Sequence, residues 1–398
     1  MYDWANSAYS VIITVAVLPI FYKSMATGSG LAPNVADSYW GYATSAATLI
    51  IALLAPFLGT LGDYKNFKMR LFRFFFLTGA ISTALLSFTG SWQLLLALYM
   101  ITIIGFSGAN IFYDAFLVDV ATEERMDKVS TYGFAMGYIG GSTIPYIISI
   151  ILIIFSSSIG ITRTTAVRAS FLLTSFWWIA FSIPMIRNIR QVYSVERSGN
   201  IIRESAGRLS STLKLMRCNR NLPLFLIAYF FYIDGVNTIM HMAAVFGDSI
   251  GLISTTLMLA LLVIPVVSFP FTILYGRLAR RFGSRTLILT GIAVYLLVCV
   301  LAFRMTSEME FWILAVLVAT SQGGIQALSR SFYGRLIPKE NSNEYFGFYN
   351  VFGKFAAIMG PALYGLFSQI TGQSRFGILS ITILFIIGAF VLLNVKEV

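Results

Sequence analysis

The chain has 398 residues, 57% of them hydrophobic and only 11% charged, with a formal net charge of +11. Soluble domains carry about 25% charged residues, so this composition excludes a wetted globular surface. Its apolar runs do not alternate as barrel strands do, which leaves helices as the backbone that crosses a bilayer.

Twelve spans are predicted, at about 2–25, 38–62, 71–89, 92–118, 129–155, 167–187, 221–246, 251–274, 286–304, 311–329, 344–371 and 374–394. Each is near or above the roughly 20 residues that a bilayer requires. The first lacks a basic leader and reads as a retained helix, not a signal peptide. With the N-terminus inside, 22 of the 28 Lys and Arg fall in or beside the inner loops and C-terminal tail, and five beside the outer loops. That asymmetry records membrane topology, so no nucleic-acid partner is expected and both termini are placed in the cytoplasm. Cys218 and Cys299 imply no disulfide framework. A basic polar stretch at 188–220 separates a six-span half at 1–187 from another at 221–398. Within it Leu209, Leu213 and Met216 stand at i, i+4, i+7, the spacing of an amphipathic surface helix.

The halves echo one another. Asp3-Trp-Ala-Asn6-Ser7 in the first span is matched by Asp234-Gly-Val-Asn237-Thr238 in the seventh, and GTLGDYKNFK (59–68) by GRLARRFGSR (276–285). GANIFYDAF (108–116) is answered by GGIQALSRSF (323–332), and YGF at 132–134 by FGF at 346–348. Four echoes in one order indicate duplication, the way many carriers build a central site between two halves. Asp234 lies well inside its span while Asp3 has two residues before it, so either the first helix begins abruptly or the natural start lies upstream.

The G-x-L-x-D loop followed by basic residues resembles the signature of the major facilitator superfamily. YDWANSAYS (2–10), FYDAFLVD (112–119), GYIGG (137–141), DGVNT (234–238) and FGFYNVFGKFAAIMGP (346–361) resemble the vacuole-effluxer-like family, the "unknown major facilitators" that include a fungal vacuolar amino-acid effluxer. The resemblance implies twelve transmembrane helices in two pseudo-symmetric halves, with the first, fourth, seventh and tenth lining a cavity. Arg280 departs from it, standing where facilitators carry Asp.

Ionisable groups within spans are costly and are functional hypotheses by default. Asp234, Asn237 and His241 share one helical stripe, as do Asp3, Asn6 and Ser10; Gln322 and Gln326 share another, and so do Asn350 and Lys354. With Asp114 these are the expected solute- and ion-binding residues, Asp234 or Asp3 taking a coupling proton or a solute ammonium and Lys354 pairing with an acid or a solute carboxylate. The plainer alternative is hydrogen-bonding between helices. A second pattern is a charge inversion: Asp63, Asp114 and Asp119 align with Arg280, Arg330 and Arg335. It predicts a gate of ion pairs between the halves, with Asp63 or Asp119 meeting Arg280 or Arg335; the alternative is that the arginines only obey topology.

No G-x-x-x-x-G-K-[ST] loop is present, and no cofactor, metal or catalytic residue is expected. The expected function is secondary transport of a small, amino-acid-like polar solute, running as efflux with a proton, by a monomer in the cell membrane, or in a vacuolar membrane if the source is eukaryotic. Two alternatives stay open: an intramembrane serine hydrolase using Ser107 and His241, and a non-transporting receptor.

Overall fold

The computed structural model describes residues 1–196, 204–205, 207–209, 211–212, 214, 220–249 and 254–397. Leu213, Met216 and Cys218, and with them the expected surface stripe of the linker, lie outside the described residues.

Among the described residues, twelve helices are long and apolar enough to cross a membrane. They are α1 (Tyr2–Gly28), α2 (Pro33–Gly62), α3 (Phe67–Phe88), α4 (Trp92–Val120), α5 (Glu123–Ile154) and α6 (Arg163–Asn188) in the first half. In the second are α7 (Asn221–Ser249), α8 (Ser254–Phe282), α9 (Ser284–Arg304), α10 (Glu308–Leu336), α11 (Lys339–Thr371) and α12 (Ser374–Leu393). The starts are chemically marked. Ser91 and Thr162 cap α4 and α6 by accepting the amides of Leu94 and Thr165, and Ser307 and Glu310 form a full capping box on α10.

Proline accounts for the irregular turns. α1 widens over Ser10–Ala16 ahead of Pro19, and α5 over Gly137–Thr143 ahead of Pro145. A proline offers no amide to the carbonyl four residues back, so the turn before it relaxes. The widened turn of α5 packs on the start of α1, where a Cβ on Gly140 would enter the Trp4 ring and one on Gly141 would press on Ser7. α11 is broken outright. Its segments Ser342–Phe355 and Met359–Thr371 flank a turn just before Gly360-Pro361.

Each half buries an apolar core of its own, around Phe72, Phe76 and Trp178 in the first and around Tyr232, Tyr295 and Phe385 in the second. Leu53, Phe74, Phe176, Ile370 and Phe390 point outward and are exposed, the apolar coat that a lipid-facing bundle requires. Between the halves α2 lies on α11 and α5 on α8 and α10, and this seam carries the polar chemistry.

Candidate functional site

The seam is built in layers. At the end carrying the basic loops, Asp63 is fully buried just beyond α2. It accepts the backbone amides of Asn343 (2.9 Å) and Glu344 (3.3 Å) and the Asn343 side-chain amide (3.0 Å), all from α11. Arg208 of the linker reaches Asp63 at 3.0 Å and Glu344 at 3.3 Å, bridging both halves. Burial pushes the Asp63 carboxyl up to about 7, against the opposing pull of Lys68 and Arg208.

Beside it, Lys68 and Asp119 pair at 2.6 Å with both side chains buried. Lys68 also donates to Ser342 of α11 at 3.0 Å. Asp119 holds the linker by accepting the amides of Val192 and Tyr193, and Val195 makes a single parallel bridge with Tyr64. On the far side of the seam Asp127, at the start of α5, pairs with Arg335 at 2.9 Å and accepts the hydroxyls of Ser284 and Ser331.

These contacts correct the expected pairing. Neither Asp63 nor Asp119 meets Arg280 or Arg335. Arg280 is exposed and makes no ion pair among the described residues. Arg335 takes Asp127 instead, because α5 lies against α10, while Asp119 is occupied by Lys68 and the linker. Asp127, Lys68 and Arg208 carry no inversion between the halves, and the first two sit in loops by hydropathy, so the repeat alignment passes over them.

The next layer lies ~9 Å in from the basic end, where Asp114 and Arg330 each stand six residues before the last residue of their helices. Arg330 is 4% exposed and is caged by the first half: Asp114 at 3.3 Å, Asp3 at 3.7 Å, the Ser130 hydroxyl at 3.0 Å and the ring of Phe134 at 4.6 Å. The Tyr113 hydroxyl donates to Asp3, and Asn350 donates to Asp114 at 3.3 Å. Of the aligned charge pairs, Asp114 and Arg330 are the one brought into contact.

One to two helical turns further from the basic end, ~6–12 Å along the axes, stand the remaining polar residues of the seam. Lys354 donates to Ser107 at 2.8 Å across the halves, Asn6 to Asn110 at 2.8 Å, and Tyr138 to Gln326 at 3.4 Å. Gln322 is buried, with its Oε1 unpartnered among the described residues. Asp3, Asn6, Asp114, Gln326, Asn350 and Lys354 thus converge on one region.

Asp234 does something else. It is fully buried on α7, and both its oxygens accept the Gly360 amide at 3.0 Å, with Thr238 donating at 3.3 Å. The carboxylate sits at the positive N-terminus of the second α11 segment. His241 is exposed two turns further on and Asn237 is half-buried. The expected stripe is therefore divided between an anchor and two flanking residues. Ser107 has Lys354 as its partner, not His241, so the hydrolase pair does not form. Among the described residues no group of acids, histidine and cysteine could hold a metal.

With this geometry in view, the comparisons with known proteins are specific. The family model described as "Vacuole effluxer Atg22 like" matches residues 33–397. The uncharacterized MFS-type transporter YxiO of Bacillus subtilis is 50% identical over 401 residues, spanning 100% of this chain and 94% of its own length. Autophagy-related protein 22 of Cryptococcus neoformans is 23% identical over 65% of this chain and 48% of its own length, so the match spans about half of that fungal relative. The human organic anion transporter MFSD10 (TETRAN) superposes with a TM-score of 0.77 at 14% identity, covering 98% of each chain, a likeness of fold alone. The chain belongs to the Atg22-like vacuole effluxer family and is a twelve-helix transporter of the major facilitator type.

Proposed function

We propose that the chain is a secondary carrier for a small, polar, amino-acid-like solute, working by alternating access, coupled to protons and running as efflux. The observation that carries this reading is the Arg330 layer. A cation from the second half is enclosed by two carboxylates of the first, at the depth where the halves must part for a solute to pass. Charged groups are retained at such depth where they serve binding or coupling. Asp3, Asn6, Asp114, Gln322, Gln326, Asn350 and Lys354 form the solute and ion site, flanked by Asn237 and His241. Asp63, Asp119, Arg330 and Arg335 hold the basic end shut. The Lys and Arg asymmetry puts that end and both termini in the cytoplasm, in the cell membrane of a bacterium. The shut form then faces outward, and one chain suffices for the cycle.

No observation favours the hydrolase over the carrier, since Ser107 and His241 are apart. The test is exchange and pH-driven movement of labelled amino acids in proteoliposomes, with Arg330→Gln as the inactive control. Movement in the parent and its loss in the variant are expected. No movement of any amino acid, or undiminished movement in Arg330→Gln, overturns the reading.

A further inference from the structure

Four basic side chains packed in the seam are matched to acids. Lys68 has Asp119, Arg208 has Asp63 and Glu344, Arg330 has Asp114 and Asp3, and Arg335 has Asp127. Lys354 is the exception. Its ammonium makes a 2.8 Å hydrogen bond to the Ser107 hydroxyl and no ion pair among the described residues. Lys354 is half-buried; an ammonium partly withdrawn from water without a counter-ion is a costly arrangement, and it stands one turn beyond the shut layer. Gln322 on α10 adds the opposite polarity to the seam, a buried carbonyl oxygen without a donor among the described residues.

The charges also balance. Asp3 and Asp114 together carry two negative charges, and Arg330 and Lys354 two positive. A monoanion arriving at Lys354 leaves this cluster one charge in excess, and a proton on the Asp3–Asp114 pair restores neutrality. The groups facing that pair are Tyr2 of α1, Tyr113 of α4, Tyr138 of α5, Tyr229 of α7, Arg330 of α10, and Asn350, Tyr349 and Lys354 of α11. The tyrosines are weaker acids than a carboxyl, so the carboxylates are the acceptors.

Resting on the carrier reading above, we propose that Lys354 with Ser107 is the subsite for an anionic group of the solute, a carboxylate, and that one proton enters the Asp3–Asp114 pair with each anion bound.

The probes are a panel of amino acids, each with its deaminated carboxylic acid and its decarboxylated amine. Binding to the purified full chain is measured by titration calorimetry in buffers of different ionisation enthalpy, which reads proton uptake. Deaminated acids should bind with uptake of one proton, zwitterionic amino acids should bind with less because their own ammonium supplies balancing charge, and amines should not bind. Lys354→Gln should weaken acid binding at least about tenfold, with Lys354→Arg retaining it and Ser107→Ala weakening it less. Should Lys354→Gln fail to fold, Ser107→Ala and Lys354→Arg carry the same comparison. Amines binding as well as acids, or equal acid affinity in Lys354→Gln, overturns the subsite and leaves the carrier intact. Acid binding without proton uptake overturns the coupling. Binding and transport of none of the three sets by the folded parent overturns the amino-acid-like reading, and the subsite with it.

Discussion

Asp63 is where a single titration acts on the closed form. Its ordinary value is 3.8 and in the closed form burial raises it to about 7. The closed form therefore holds the proton more tightly than a form with Asp63 in water. The contribution to closure is fully present below the ordinary value and is lost as the pH rises through about 7. A cysteine at the buried Ala115, in a background with Cys218 and Cys299 replaced by Ala, should become more reactive over that rise. Asp63→Asn should flatten the profile; an unchanged profile in that variant would assign the titration elsewhere. The Asp127–Arg335 pair supports a second prediction. Each single replacement strands a buried charge at a cost of about 3–5 kcal/mol. Asp127→Asn combined with Arg335→Gln should thus lose less thermal stability than the sum of the singles. The same cycle on Asp119 and Arg335 should be additive, and coupling there would contradict the contacts described.

At the scale of elements, the break in α11 depends on what α7 places against it. A Cβ on Gly360 would fall on the Thr238 hydroxyl oxygen and within 2.7 Å of an Asp234 oxygen, so only glycine allows the approach. Asp234→Asn keeps an acceptor but removes the charge at the helix end, for a loss of about 1–2 kcal/mol. Gly360→Ala should cost more, and adding Thr238→Ala should recover part of it in a melting assay. Equal melting of Gly360→Ala and the parent would show the contact to be absent. The elements themselves were legible in the sequence, because twelve apolar runs and a duplicated motif order leave few other arrangements. The middle layer was legible too, since charge within a span is rare enough to mark itself. Which acid meets which base was not. Alignment of the repeats gives a residue's height along its helix but not its rotation or its competitors. Asp119 and Arg335 share a height, yet Lys68 takes one and Asp127 the other. Asp234 reads as a free acid because the amide it accepts belongs to a glycine far along the chain.

For the whole molecule, closure at one end is a property of two halves, each built around an apolar core. Glu123 at the start of α5 and Lys339 at the start of α11 pair at 2.7 Å across the seam, the first exposed and the second half-buried. Such a pair is worth only about 0–1 kcal/mol, so it serves better as a reporter than as a lock. Cysteines at these two positions should be joined by a short reducible crosslinker, arresting transport until the link is reduced. Full transport by the crosslinked protein would mean that the basic end need not open.

The latch on Asp63 is encoded unequally. Two of its donors are the main-chain amides of Asn343 and Glu344, and a main-chain amide is present whichever residue is translated there, proline excepted. On the first half the contact hangs on one codon; on the second, a large part of it hangs on none. Substitutions at 343 and 344 can therefore accumulate while the amide contacts persist, whereas loss of the Asp63 side chain has no mirror-image repair across the seam. In a selection for revertants of Asp63→Ala, restored closure should map to other positions along α2 and α11, and not to residues 343 and 344.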